Sequence, residues 1–88
     1  MISLVRLAVE APHELLLTFS DGSSGVWSAA EVIARDTVLT RPLAEPDFFA
    51  RAFIEGGDGL AWPNGLEFSA DALHRKLQET GKLVLRAA

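Results

Sequence analysis

The fold of this chain is decided by the stretch Gly56-Gly57-Asp58-Gly59-Leu60-Ala61-Trp62-Pro63-Asn64-Gly65-Leu66-Glu67. It contains a glycine-rich hinge, a short apolar run that ends in a large aromatic residue, and a Pro-Asn-Gly turn. Glycine permits positive φ, proline fixes φ, and Asn-Gly reverses the chain. These three devices build turns, and none of them supplies a nucleophile, a base or a metal ligand. The stretch therefore says more about architecture than about chemistry.

The residues on either side of the hinge predict a β-hairpin. Residues 53–55 have strand character and lead into the glycines, and residues 60–62 pair back with them. Because Pro63 follows Trp62, the tryptophan is biased toward an extended conformation. We predict a positive φ at Gly65, where the chain changes direction.

The first half of the chain predicts an antiparallel meander of three strands. Residues 3–9, 15–19 and 26–27 have strand character, and Asp21-Gly22 is a strong hairpin signal between the second strand and the third. Alternation in the first strand places three apolar side chains on one face: Val5, Leu7 and Val9. Alternation in the second strand does the same for Leu15, Leu17 and Phe19.

Two helices and a helical or irregular turn are predicted downstream of the meander. The helical or irregular turn covers residues 28–34, with Ser28 as its N-cap. A short helix has Pro46 at its first position. The last helix follows the N-cap Ser69 and stops at Gly81, because glycine is the commonest residue just past a helix end.

Together these elements predict an α+β fold with an antiparallel β-meander of three strands, short helices, a second β-hairpin and a C-terminal helix. A chain of 88 residues has no room for two cores. We therefore assign residues 1–81 to a single α+β domain and residues 82–88 to an apolar C-terminal tail. We expect its Leu83-Val84-Leu85 to add a strand to its own sheet or to cover an edge or groove on a neighbour, and a homodimer is one arrangement that would bury it.

Composition and charge bound the function. Hydrophobic residues make up 49% of the chain and charged residues 23%, which is typical of a soluble globular domain. The chain has no cysteine and no apolar run long enough to cross a bilayer, so we expect a cytoplasmic protein without a membrane partner. The net charge is −4 and the eight basic residues are scattered, so we expect no direct nucleic-acid binding.

The groups that could carry chemistry form no recognisable catalytic or metal site. His13 has one neighbouring carboxylate, Glu14, whereas a metal site needs three or four convergent ligands. We expect His13 to be a solvated loop residue and His74 to contact Asp71 on the surface of the last helix. The serines include no Gly-x-Ser-x-Gly elbow, and the glycine hinge lacks the Gly-Lys-Ser/Thr of a phosphate loop. The sequence therefore predicts no catalytic residue, no cofactor and no metal.

The two tryptophans could serve either the core or a partner. Exposed tryptophans are binding anchors, whereas buried ones are part of the core. We expect Trp62 to be mainly core, and we leave Trp27 open because Val26 competes with it for the inner face of its strand. The candidate interaction surface consists of Trp27, Trp62, Asn64 and Glu67.

A series of short motifs supports a family resemblance. In chain order they are Asp21-Gly22, Pro42-Leu43, Pro46-Asp47-Phe48-Phe49, Gly56-Gly57 and Trp62-Pro63-Asn64-Gly65-Leu66-Glu67, followed by a closing helix. Over about residues 2–76 this order resembles the bacterial domain-of-unknown-function family 2442, most specifically in Trp-Pro-Asn-Gly followed by Leu and an acid. The chain departs from the family pattern at Ser28, Glu45 and Glu67, where aspartate is common, and these polar positions concern local capping.

The resemblance implies a small α+β domain and carries no catalytic residues with it. Some members of the family continue into a helix-turn-helix segment, and others resemble partners of a second small protein in paired, antitoxin-like gene arrangements. Our leading hypothesis is a non-catalytic protein-interaction module, a regulatory or antitoxin-like partner of another protein. The alternative is a small-ligand-binding or enzymatic domain with a cleft near Trp62 and the hinge at residues 56–59.

Overall fold

A computed structural model describes residues 1–56 and 58–85. The strands are β1 (Leu4–Ala11), β2 (Glu14–Phe19), β3 (Ser23–Ser28), β4 (Phe53–Glu55), β5 (Gly59–Ala61), β6 (Glu67–Ser69) and β7 (Val84–Leu85). The helices are α1 (Ala30–Ala34), α2 (Pro46–Phe49) and α3 (Ala70–Glu79), with a 3₁₀ helix at Arg41–Ala44. One antiparallel sheet has the order β1-β2-β3-β7 and the other has the order β4-β5-β6. The predicted α+β class is confirmed.

The hairpin of β2 and β3 forms the centre of the first sheet. All three side chains predicted for the inner face of β2 are buried: Leu15, Leu17 and Phe19. Alternate residues of β3 point to the same side and are also buried: Ser23, Gly25 and Trp27. The hairpin turn follows the Asp21-Gly22 signal, and the Gly22 N–H donates to the Phe19 carbonyl over 3.0 Å.

The predicted inner face of β1 is wrong at its first position. Leu4 pairs with Phe19 while Arg6 pairs with Thr18, so Val5 is an extra residue in the ladder. A bulge of this kind reverses the alternation of side chains. Leu4 is 1% exposed as a result, whereas Val5 is 55% exposed.

The predicted second hairpin is confirmed and belongs to a larger sheet. Phe53 pairs with Ala61 and Ile54 with Leu60. The chain then turns, with the Gly65 N–H donating to the Trp62 carbonyl over 3.1 Å, and Gly65 has the predicted positive φ, at 95°. The next residues form β6, a third strand that the sequence analysis did not predict. Gly57 of the predicted hinge lies outside the described residues.

The ends of α3 follow the predicted signals. The Ser69 side chain accepts a hydrogen bond from the Ala72 N–H over 3.1 Å, which is the N-cap contact. At the other end Gly81 follows the last turn, and the Lys82 N–H donates to the Leu77 carbonyl over 2.9 Å. No helix in the described residues is long and apolar enough to cross a membrane.

The predicted N-cap of α1 is displaced by one residue. Ala29 is the N-cap, and the Ser28 hydroxyl accepts a hydrogen bond from the Ala30 N–H over 3.2 Å. The predicted short helix at Pro46 is present, with the proline in its first turn.

The apolar tail adds a strand to its own sheet, which is one of the two arrangements predicted for it. Val84 pairs with Ser24 and Leu85 pairs with Ser23, so β7 lies beside β3. Both apolar side chains of β7 remain mostly exposed, at 63% and 72%. The rest of the predicted tail, residues 86–88, lies outside the described residues.

The close approach of β3 to the end of α3 predicts a large effect of Gly25→Ala. A Cβ atom at Gly25 would lie 2.8 Å from the Lys82 carbonyl oxygen and 3.1 Å from a Leu77 methyl group. Because the nearest atom belongs to the backbone of the segment that follows α3, this segment and the end of α3 must move away from the sheet. We expect the free energy of unfolding in urea to fall by about 1–3 kcal/mol, as for other overpacked cores.

The control for this prediction is Ser24→Ala, since Ser24 is the preceding residue and its side chain lies on the opposite face of β3. Equal unfolding free energies for the two variants would contradict the close contact between β3 and α3.

Candidate functional site

The two tryptophans belong to one buried aromatic cluster. Trp62 is 1% exposed, as expected, and its indole N–H donates to the Phe49 carbonyl over 3.0 Å. Its ring centroid lies 6.1 Å from that of Trp27 and 5.9 Å from that of Phe49. Trp27 is only 6% exposed. Trp62 therefore presents almost no surface to a partner, which corrects its place in the predicted interaction surface, whereas Trp27 keeps a small exposed fraction.

The other two residues of that surface have different roles. Asn64 is half-buried, and its amide nitrogen donates to the Leu39 carbonyl over 3.0 Å. The Asn64 carbonyl oxygen accepts from the Leu66 N–H over 3.2 Å. Asn64 thus fastens the loop before the 3₁₀ helix to the turn after β5. Glu67 is exposed on β6.

A different concave surface lies between α1, β3 and α3. We call it the α1–β3–α3 groove, and it encloses about 410 Å³. Its apolar lining comes from four elements: Trp27 of β3, Val32 of α1, Phe68 of β6, and Leu73 and Leu77 of α3. Ala72, an exposed residue of α3, also lines it. Trp27 connects the groove with the buried aromatic cluster, because its ring also packs against that of Trp62.

Charged side chains stand around this apolar lining. Lys76 of α3 and Glu31 of α1 form an ion pair, with 3.3 Å between Nζ and Oε1. Arg35 and Lys82 also line the groove. The groove thus has three of the eight basic residues of the chain and one of its twelve acidic residues. It is a basic region on a chain whose net charge is −4.

The model of the family described as "Protein of unknown function (DUF2442)" matches residues 4–79 of the 88-residue chain. The chain belongs to this family. The match runs from β1 to the end of α3. No curated protein and no solved structure matches the chain.

The groove of this DUF2442 chain was missed by the sequence analysis. Glu31 and Lys76 are 45 residues apart, and their ion pair depends on how α1 and α3 pack on β3. Each helix by itself shows only an apolar side and a charged side, which is the ordinary pattern of a surface helix. No local motif in the sequence indicates that the two helices form the walls of one groove.

The cleft predicted near Trp62 and the hinge does not correspond to this groove. The lining of the groove does not include Trp62, whose ring is enclosed by core residues. A second, more open depression of about 440 Å³ lies against β2, β3 and β7, around Leu16 and Ser24, and shares Val26, Ser28 and Lys82 with the groove. It too is lined by residues other than Trp62 and Gly56.

A serine, an aspartate and a histidine meet at the turn between β2 and β3. Both the hydroxyl and the backbone N–H of Ser23 donate to Asp21 Oδ1. The other Asp21 oxygen lies 3.0 Å from His74 Nε2, so His74 contacts Asp21 rather than the predicted Asp71. The Phe19 ring packs against the His74 ring with 5.1 Å between centroids.

This arrangement cannot act as a nucleophilic triad. In such a triad the histidine lies between the serine and the acid and removes the serine proton. Here Asp21 lies in the middle, and the hydrogen bonds from Ser23 lower the pKa of Asp21 from 3.8 to about 2, with a smaller contribution from His74. A carboxylate with so low a pKa is a weak base, and Ser23 is fully buried. The three side chains fasten the β2–β3 turn to α3.

His13 is also tied into the fold rather than solvated as predicted. Its Nε2 atom lies 2.8 Å from the Ala44 carbonyl oxygen, and its ring packs edge-on against Phe49 with 6.0 Å between centroids. The part of the chain that the structure describes contains no group of three or more His, Asp or Glu side chains placed to hold a metal ion.

The low pKa of Asp21 predicts a pH-dependent contribution to stability. A carboxyl group whose pKa is lower in the folded state stabilises the fold at pH values above its unfolded pKa, and this contribution is lost as the pH falls from about 4 to about 2. The Asp21 side chain is 34% exposed, so solvent screening reduces the effect, and we expect Asp21→Asn to cost about 1 kcal/mol at pH 6.

Urea unfolding at a series of pH values measures this contribution. The difference between the natural chain and Asp21→Asn should disappear near pH 2. The matched control is Glu79→Gln, an exposed acid of the same chain that makes no ion pair within the described residues. A difference that stays constant from pH 6 to pH 2 would contradict the role of Asp21.

Proposed function

We propose that this DUF2442 chain is a non-catalytic protein-interaction module of the bacterial cytoplasm, a regulatory or antitoxin-like partner of another small protein. We further propose that the partner binds in the α1–β3–α3 groove. The observation that carries the proposal is an apolar groove, with Trp27 in its lining, surrounded by charged side chains. This is the anatomy of a protein interface, in which an apolar centre provides affinity and a polar rim provides orientation.

The shape of the groove favours a segment of a partner protein. Many proteins bind a partner by receiving one of its amphipathic helices in an apolar groove. The apolar face of that helix then packs against the bottom of the groove. The walls here are α1 and α3, and the floor is β3. The apolar side chains of the lining are themselves part of the core cluster, so the floor is held in one shape before a partner arrives.

The chemistry of the polar side chains agrees with a binding role. Both histidines are engaged in contacts that join elements of the fold, His13 with Ala44 and His74 with Asp21. Their geometry fits a structural role and leaves neither beside a nucleophile. This supports a module that binds without catalysing a reaction.

A small-ligand-binding domain is the second candidate, and the volume of the groove favours it. About 410 Å³ falls within the range of pockets that bind small molecules, roughly 300–1,000 Å³. The groove combines an apolar lining with charged side chains, which fits an amphipathic segment better than a compact metabolite. The two candidate functions differ in whether the groove binds a segment of another protein or a small molecule inside the cell.

Site-specific photo-crosslinking tests the proposal directly. A benzophenone amino acid placed at position 72, on the exposed face of α3 that lines the groove, should give a covalent adduct of one discrete mass in cells of the source organism. The same amino acid at position 50 is the control, because Ala50 is equally exposed but lies outside the groove.

The outcomes separate the two candidate functions. An adduct from position 72 and none from position 50 supports a protein partner at the groove. Adducts of equal yield from both positions, or none from either, would contradict it. A rise in melting temperature with a metabolite, reduced by Ala72→Gln and not by Ala50→Gln, would favour the small-ligand candidate instead.

A further inference from the structure

We propose that the segment bound by the α1–β3–α3 groove is acidic and amphipathic, and that a carboxylate of this segment replaces Glu31 as the ion-pair partner of Lys76. This inference rests on the proposed function and specifies the chemistry of the partner. It follows from the charges around the groove and from the geometry of one ion pair.

The charge of the groove is opposite to that of the rest of the chain. Its lining includes Arg35, Lys76 and Lys82 against the single acid Glu31. The chain as a whole has twelve acidic and eight basic residues, so the rest of the sequence has eleven acids against five basic residues. An acidic segment is therefore attracted to the groove and repelled elsewhere, which gives both orientation and specificity.

The ion pair between Glu31 and Lys76 shows how a carboxylate binds there. Both Glu31 oxygens face the Lys76 Nζ, at 3.3 and 3.4 Å, and the pair joins α1 to α3 across the groove. The Lys76 side chain is 48% exposed and that of Glu31 is 69% exposed. Exposed ion pairs of this kind contribute little to stability, so a second carboxylate can replace Glu31 at small cost.

The apolar lining defines the other half of the segment. Leu73 and Leu77 are one helical turn apart on α3, and Trp27 and Phe68 also line the groove. Apolar side chains spaced three or four residues apart on one face of a partner helix would lie along this row. Its acidic side chains would then meet Lys76 and Arg35 at the rim.

Because Glu31 competes with the segment, its removal should strengthen binding. We expect Glu31→Gln to lower the dissociation constant of an acidic segment by about threefold to fivefold, the factor that corresponds to a surface ion pair. Lys76→Gln and Arg35→Gln should each raise it by a similar factor. Added salt should weaken binding, because exposed charges are screened. If the ion pair had only a structural role, removing Glu31 and removing Lys76 would not have opposite effects on peptide binding.

The probes are peptides selected from a random library of sixteen-residue peptides displayed on phage, with the full chain as target and Ala72→Gln for counter-selection. We expect the selected peptides to combine acids with apolar residues at helical spacing. Fluorescence anisotropy then gives their dissociation constants for each variant. Two exposed residues of α3 outside the groove provide matched charge controls, Glu79→Gln and Arg75→Gln. Circular dichroism melting curves show that each variant is folded.

Two results would overturn the inference. The first is that the selected peptides are basic or uncharged although their binding is lost with Ala72→Gln. The second is that Glu31→Gln leaves the affinity for an acidic peptide unchanged or weakens it. If the crosslink from position 72 is still found together with either result, the proposed protein-binding function is retained and the inference that the bound segment is acidic is rejected. If decanoate raises the melting temperature in a Lys76-dependent manner while no peptide is selected, the groove binds a small amphipathic anion and the peptide inference is overturned.

Discussion

The hydrogen bond from the Trp62 indole N–H to the Phe49 carbonyl is the contact on which the rest of the structure depends. It places a large ring at the junction of the two sheets, where it packs against Trp27 of β3, Phe49 of α2 and Phe68 of β6. A buried indole without a partner for its N–H would be costly, so the ring is held in one orientation. The four-stranded and three-stranded sheets share one core around this ring.

The same cluster determines the shape of the α1–β3–α3 groove. The Trp27 ring contacts Trp62 on its inner side and lines the groove on its outer side. Phe68 does the same from β6, with its ring 5.5 Å from that of Trp27. The candidate binding surface is therefore the outer layer of the core. A surface of this kind is rigid, and rigidity reduces the entropy lost when a partner binds.

Parts of this arrangement could be predicted from sequence because they depend on near neighbours. The Ser69 cap, the positive φ of Gly65 and the pairing of β4 with β5 are set by residues a few positions apart. The inner face of β1 could not be predicted, because the bulge at Val5 arises from its pairing with β2. The strand β6 was missed because it ends in Ser69, whose cap signal indicates the start of a helix rather than a strand.

The sequence by itself determined the class of the fold, the positions of the turns and the buried face of β2, since proline, glycine and alternating apolar residues act through local backbone geometry and burial. Only the tertiary structure decided which side chains are available to a partner. It placed both tryptophans in the core and brought Glu31 and Lys76 together across 45 residues of chain. The physical reason is that a binding surface is made by the packing of distant elements, and the charges that surround it have no fixed spacing in the sequence.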